Sequence, residues 1–243
     1  MNGFAATRLG RFIRARLTPH GELGLHLTLG GLALVAALWI FAGIAEDVMG
    51  AEAITLLDVR VAQWLHAHAT DGLTRCMLAV SYLHGVTGML LLSALLGGYF
   101  FLKNAHYWLL ALALSVPGGM LLNVLLKLLF ARARPSFSDP ILTLATYSFP
   151  SGHAVAATLL YGLIAAYLVG RTRRWGARAV IVAGAVLLVL LVGLSRMVLG
   201  VHFLSDVLAA MAEGCAWLAI CITACSTLRR RRARRDNEKG KAC

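Results

Sequence analysis

The 243-residue chain reads as an all-α integral membrane protein: a bundle of six transmembrane helices with an interfacial helix between helices 1 and 2. Three observations predict this. Hydrophobic residues make up 59% of the chain and charged residues 14%, with a mean hydropathy of +0.76; an ordinary soluble domain is about 45–50% apolar and about 25% charged. Charge-poor runs able to cross a hydrocarbon core, which takes about 20 residues at 1.5 Å rise each, recur along most of the chain. Lys and Arg gather in alternate segments between those runs, the bias that sets membrane topology.

The first span is 23–45, preceded by an arm carrying Arg8, Arg11, Arg14 and Arg16. It exceeds the about 7–15 residues of a cleavable signal core, so it reads as an uncleaved anchor. Residues 46–75, "EDVMGAEAITLLDVRVAQWLHAHATDGLTR", place Leu56, Leu57, Val61, Trp64 and Leu65 at near-helical spacing, the pattern of an interfacial helix capping the bundle. His66 and His68 stand two apart, on different faces of such a helix, and cannot readily share a metal.

The second span is 76–102 and the third 104–126. Residues 131–150, "ARARPSFSDPILTLATYSFP", hold three of the five prolines and read as extended, irregular backbone. At a membrane such backbone is tolerated only where protein buries it or it lines a wet cavity. The fourth span begins near Ser151 within 140–170. The fifth, 179–195, is short, and the sixth, 202–228, is interrupted by Glu213. The whole of 1–243 forms one membrane domain without linker or repeat.

A net charge of +12 could suggest nucleic acid, but its placement argues otherwise. With a cytoplasmic N-terminus, the arm, the 103–106 turn, the 171–178 loop and the 229–243 tail share one side and hold 17 of the 23 Lys and Arg. The tail therefore reads as a basic cytoplasmic anchor on anionic membrane lipids. No aromatic residues interleave with it, so no nucleic-acid partner is expected. Cysteines at 76, 215, 221, 225 and 243 form no CxxC pair, and neither a disulfide nor a metal site nor any cofactor is predicted. The ending "GKAC" is no prenylation box. His20, His26, His84 and His106 have no partners at ligand spacing.

Ionisable residues in or at a membrane are costly, about 2.5–3.5 kcal/mol each at a helix centre, so several together point to function. Lys127 ends the third span, Arg134 follows, His153 opens the fourth, Arg196 ends the fifth, and His202 and Asp206 open the sixth. By parity all six face the outer, extracytoplasmic side. Three permanent cations suit a phosphate. "PSGH" adds a helix N-terminus with Ser151 and Gly152, where free N–H groups favour an anion. His202 and Asp206 are one turn apart, so the carboxylate can orient one imidazole nitrogen and leave the other as a nucleophile. His153 can protonate a leaving alkoxide and then deprotonate water. Glu213 falls on the same face two to three turns deeper, and Asn123 is a candidate polar partner for it.

"KLLFARARP" (127–135), "PSGH" (150–153) and "SRMVLGVHFLSD" (195–206) resemble the three ordered motifs of the type 2 phosphatidic acid phosphatase superfamily, K-x6-R-P, P-S-G-H and S-R-x5-H-x3-D. The resemblance covers roughly 104–226, the expected catalytic core. It implies a metal-independent lipid phosphatase that passes through a phosphohistidine. Lys127, Arg134, Ser151, Gly152 and Arg196 would bind phosphate, His153 would be the acid, His202 the nucleophile and Asp206 its orienter. A lipid phosphomonoester or diphosphate is the expected substrate, with undecaprenyl diphosphate favoured over phosphatidic acid, phosphatidylglycerophosphate and lipid A phosphates. The expected location is a bacterial inner membrane. A vanadate-dependent haloperoxidase site would look similar, but six apolar spans count against it. A non-enzymatic transporter or scaffold would have no need of the His–x3–Asp pair beside a second histidine.

Overall fold

The computed structural model describes residues 24–242. The arm with Arg8, Arg11, Arg14 and Arg16, and Cys243, lie outside the described residues. Among these there are eight α-helices and no strand. They are α1 (Leu25–Met49), α2 (Ala53–Ala67), α3 (Asp71–Leu83), α4 (Val86–Leu102), α5 (His106–Phe130), α6 (Gly152–Arg171), α7 (Trp175–Val198) and α8 (Leu204–Ala242). The helices α1, α5, α6, α7 and α8 are long and apolar enough to cross a membrane, and α3 and α4, bent by 53° at their junction, make a sixth candidate only when taken together as one broken span.

The second span thus differs from the single run expected at 76–102. Thr70 caps α3 by accepting from the Leu73 N–H, and the chain breaks at His84–Gly85 before α4 begins. The fifth span is not short: Arg178 is accommodated in the first turn of α7, stacked 5.2 Å over Trp175 and donating to the Thr172 carbonyl at 2.7 Å. Its long stem lets the charge reach water while the helix continues. Nor does the last helix stop at 228. It runs for 39 residues through the basic tail, where strong helix formers and the Arg234–Glu238 pair at 2.7 Å sustain it.

Helix α6 is the hub, packed against α5, α7 and α8. Half of its spanning stretch is buried in protein, against 6% for α1, which packs chiefly on α8 and turns most of its surface outward. Lipid tails are as apolar as leucine, so close backbone approach rather than hydrophobic burial holds such helices together. Gly119 and Gly214 permit it: a Cβ at Gly119 would lie 2.5 Å from Leu159, and one at Gly214 would lie 2.8 Å from Thr158. Pro117 interrupts the ladder of α5, and Trp217 of α8 donates to the nearby Leu114 carbonyl at 3.2 Å. Helix α2 is the expected interfacial element, but it also drives one buried acid, Asp58, into the bundle end.

Candidate active site

The chain leaves α5 through Ala131, whose left-handed conformation (φ 45) lets its N–H reach the Lys127 carbonyl at 3.0 Å. The segment 131–151 then folds back across the bundle end. Lys127 Nζ donates to the carbonyls of Tyr147 (2.8 Å) and Ser148 (3.3 Å), tying the helix end to the returning chain. Ser148 ties the segment to itself, its N–H donating to the Arg132 carbonyl at 2.9 Å and its hydroxyl to Ala133 at 2.9 Å. From α2, His66 stacks on Phe137 at 4.1 Å and meets Asp139 Oδ1 at 3.0 Å. Protein groups thus take up the carbonyls of Arg132, Ala133, Tyr147 and Ser148, where the two ends of the irregular segment meet.

Arg134 is held on several sides. Its Nε donates to the Thr146 carbonyl at 2.6 Å, one terminal nitrogen to Thr146 Oγ1 (2.8 Å) and the Tyr147 carbonyl (3.0 Å), and the other to the Val201 carbonyl at 2.6 Å. That last nitrogen also stands 3.2 Å from His202 Nε2. Burial lowers the guanidinium pKa, with Asp206 opposing; an arginine so placed remains a cation at neutral pH.

His202 sits in a short turn between α7 and α8, 3% exposed. Its Nδ1 faces Asp206 Oδ2 at 3.4 Å and its Nε2 faces Arg134. A carboxylate only accepts and a guanidinium only donates, so both neighbours require the same tautomer: proton on Nδ1, lone pair on Nε2. Burial, only partly countered by Asp206, pushes the imidazole pKa down to about 4. It is neutral at physiological pH, as a nucleophile must be. The Asp206 contact is long for a hydrogen bond because the carboxylate is shared. Oδ2 also accepts the Phe203 N–H at 2.9 Å, and Oδ1 belongs to Arg132 at 2.6 Å.

The Ser151 N–H donates to the Asp206 carbonyl at 3.1 Å, which joins the start of α6 directly to the start of α8. His153 is therefore at the same end as His202, with Arg196, His202 and His84 as its ionisable neighbours. Arg196, 2% exposed at the end of α7, reaches Ser81 of α3 with one terminal nitrogen. Its Nε and the Ser151 hydroxyl are buried donors without a hydrogen-bond partner among the described residues. A buried unpaired donor costs about 1–3 kcal/mol, and an oxyanion is the kind of group that two of them beside Lys127 and Arg134 would suit. Gly152 lets the helix start approach α5, since a Cβ there would lie 3.3 Å from Asn123 Oδ1. All eight residues singled out in the sequence are thus brought to one end of the bundle.

Several participants were not legible in the sequence. Arg132, between the two motif residues Lys127 and Arg134, bridges Asp206 (2.6 Å) and Asp58 (2.8 Å) and lies 4.5 Å over the Phe203 ring. Asp58 also accepts the Ser205 N–H at 2.9 Å and the Ser205 hydroxyl. His84 is buried rather than incidental: Nδ1 faces the Val80 carbonyl at 2.8 Å and Nε2 the Tyr161 hydroxyl at 2.6 Å. Glu213 does meet Asn123, whose Nδ2 donates to Oε2 at 3.0 Å and to the Pro150 carbonyl at 3.4 Å. Beside His153 a cavity of about 690 Å³ extends between α4, α5 and α6, with a mostly apolar wall that includes Met89, Leu112 and Val116.

Several membrane-spanning helices that converge two histidines, a carboxylate and three cations at one end, next to an apolar cavity, define a membrane phosphatase acting on lipids. The sequence profile described as the PAP2 superfamily matches residues 107–230. Phosphatidylglycerophosphatase B of Bacillus subtilis is 31% identical over 182 residues, covering 73% of this chain and 88% of the relative. The crystal structure of a transmembrane PAP2 type phosphatidylglycerolphosphate phosphatase from Bacillus subtilis superposes with a TM-score of 0.69 at 29% identity, over 77% of this chain and 93% of the other. That of Aquifex aeolicus LpxE shares the fold, with a TM-score of 0.54 at 20% identity over 68% and 94% of the two chains. The chain belongs to the PAP2 superfamily: it is a multi-pass membrane lipid phosphatase. The transporter or scaffold reading falls with that assignment.

Proposed function

We propose that the enzyme hydrolyses the terminal phosphomonoester of a glycerophospholipid, phosphatidylglycerophosphate foremost, at the outer face of a bacterial inner membrane. Lys127, Arg134, Arg196, the Ser151 hydroxyl and the N–H groups at Gly152 hold the phosphate oxygens. His202 Nε2 attacks phosphorus, the bond to the lipid oxygen breaks, and His153 delivers a proton to the departing alkoxide. In the second half His153 takes a proton from water as its oxygen attacks. The N–P bond then breaks and inorganic phosphate leaves.

The observation that carries this reading is the pair of partnerless buried donors, Ser151 Oγ and Arg196 Nε, beside a histidine whose Nε2 lone pair is enforced from both sides. The apolar cavity at His153 supports a lipid leaving group. The names borne by the Bacillus subtilis relatives favour phosphatidylglycerophosphate over the undecaprenyl diphosphate that the sequence alone favoured. The basic end of α8 lies on anionic lipid of the cytoplasmic leaflet in this reading.

The test is phosphate release by purified enzyme, in EDTA, from phosphatidylglycerophosphate, phosphatidic acid, a lipid A phosphate and undecaprenyl diphosphate. The expected result is fastest turnover of the first, with none in His202→Ala. Faster hydrolysis of undecaprenyl diphosphate would overturn the substrate assignment, and turnover retained in the variant would overturn the phosphohistidine.

A further inference from the structure

A second cavity, of about 390 Å³, lies at the opposite end of the bundle, where the α4–α5 turn, the end of α6 and the later part of α8 meet. Arg229, which lines it, is 25 residues along α8 from Leu204, roughly 37 Å from the catalytic end. Its walls bring together Lys103, Arg171 and Arg229, one cation from each of three separate elements, with Asn104 and His106 and no carboxylate. Between residues 103 and 205 the sole acid is Asp139, which belongs to the catalytic end. The nearest acids on α8 are Asp236 and Glu238, about two turns beyond Arg229, and Glu238 is taken by Arg234.

The three cations are themselves exposed and stand on an aromatic wall. Tyr167, 4% exposed, is wedged against Phe100 (ring centroids 4.9 Å apart) and Trp108 (5.3 Å). Its hydroxyl accepts from Arg171, whose guanidinium also lies 4.9 Å over the ring. A packed aromatic block thus presents one cation at a set position, and Lys103 and Arg229 line the same cavity. Helix α5 begins at the same place without a side-chain cap, which adds favourable dipole for an anion. Tyr107 and Trp108 supply the amphipathic rings found at headgroup level.

We propose that this cavity binds the phosphate headgroup of an anionic phospholipid from the leaflet opposite the substrate, as a site separate from the catalytic one. Basic pockets between transmembrane helices take such headgroups. A zwitterionic headgroup is disfavoured because its own cation meets Lys103 and Arg229 with no acid among the described residues that line the cavity to receive it.

The test uses the full chain in detergent micelles and the fluorescence of Trp108, isolated by difference from Trp108→Phe. Dibrominated phosphatidylglycerol is expected to quench it at a concentration at least about tenfold lower than dibrominated phosphatidylcholine. The Lys103→Gln/Arg171→Gln/Arg229→Gln variant is expected to lose that preference, while phosphate release from a short-chain lipid phosphate stays within about twofold of wild type. Lys103→Gln alone, which spares the Arg171–Tyr167 contact, is expected to lose part of it. Saturating glycerol 3-phosphate should leave the quenching in place. Equal quenching by the two lipids, preference retained in both variants, or displacement by glycerol 3-phosphate would each overturn the proposal; the last would make the site one for soluble phosphate esters.

Discussion

Arg132 donates to Asp206 Oδ1 at 2.6 Å while its other terminal nitrogen holds Asp58 Oδ2 at 2.8 Å. One guanidinium thereby pairs with two fully buried carboxylates, one from helix α2 and one beside the candidate nucleophile. It also explains the long His202–Asp206 contact, because the carboxylate that faces the imidazole is anchored elsewhere.

Removing this bridge leaves two buried charges uncompensated. Arg132→Ala is expected to destabilise the protein by about 3–5 kcal/mol and to abolish turnover, whereas Arg132→Lys retains the charge but not the two-armed geometry. Thermal unfolding in detergent together with phosphate release checks this. An Arg132→Ala protein as stable and active as wild type would refute the bridging role.

His202 has a pKa lowered to about 4, chiefly by burial. The neutral form therefore persists well below the usual imidazole range, and protonation removes the Nε2 lone pair only in acid. The acid limb that His202 sets in the free enzyme's kcat/KM should therefore lie at about 4, with a fall of about tenfold per unit below it. An acid limb centred near about 6.5, the ordinary value for histidine, would contradict the buried site.

Asn123 and Glu213 act below the catalytic layer. Asn123→Ala strips a partner from both the Pro150 carbonyl and Glu213, an expected loss of about 1–3 kcal/mol with reduced turnover, since Pro150 leads into the Ser151–His153 turn. Glu213→Gln preserves an acceptor for Asn123 and should keep activity within about threefold. Abolished turnover in a well-folded Glu213→Gln protein would give Glu213 a part in the chemistry.

Gly200 adopts φ +70, and a Cβ there would lie 3.0 Å from Phe137 Cε2. Gly200→Ala combines left-handed strain of about 1–2 kcal/mol with pressure on the 131–151 segment, two residues before His202. A lower melting temperature and lower kcat are expected. If both stay at wild-type values, that turn does not position the histidine.

The composition and the charge-poor runs settled by themselves that this is a helical membrane bundle, and the motif spacings brought out the eight residues that gather at one end of it. These signals are local: a span is a continuous run, and residues at the facing ends of antiparallel helices share a face by parity alone. Only the tertiary structure decided what holds those residues in place. Asp58 meets Arg132 across 74 positions and Ser205 across 147, and His84 meets Tyr161 across 77. Pairings so distant leave no period in the sequence, because what selects them is the need of a buried polar group for a partner in the folded bundle.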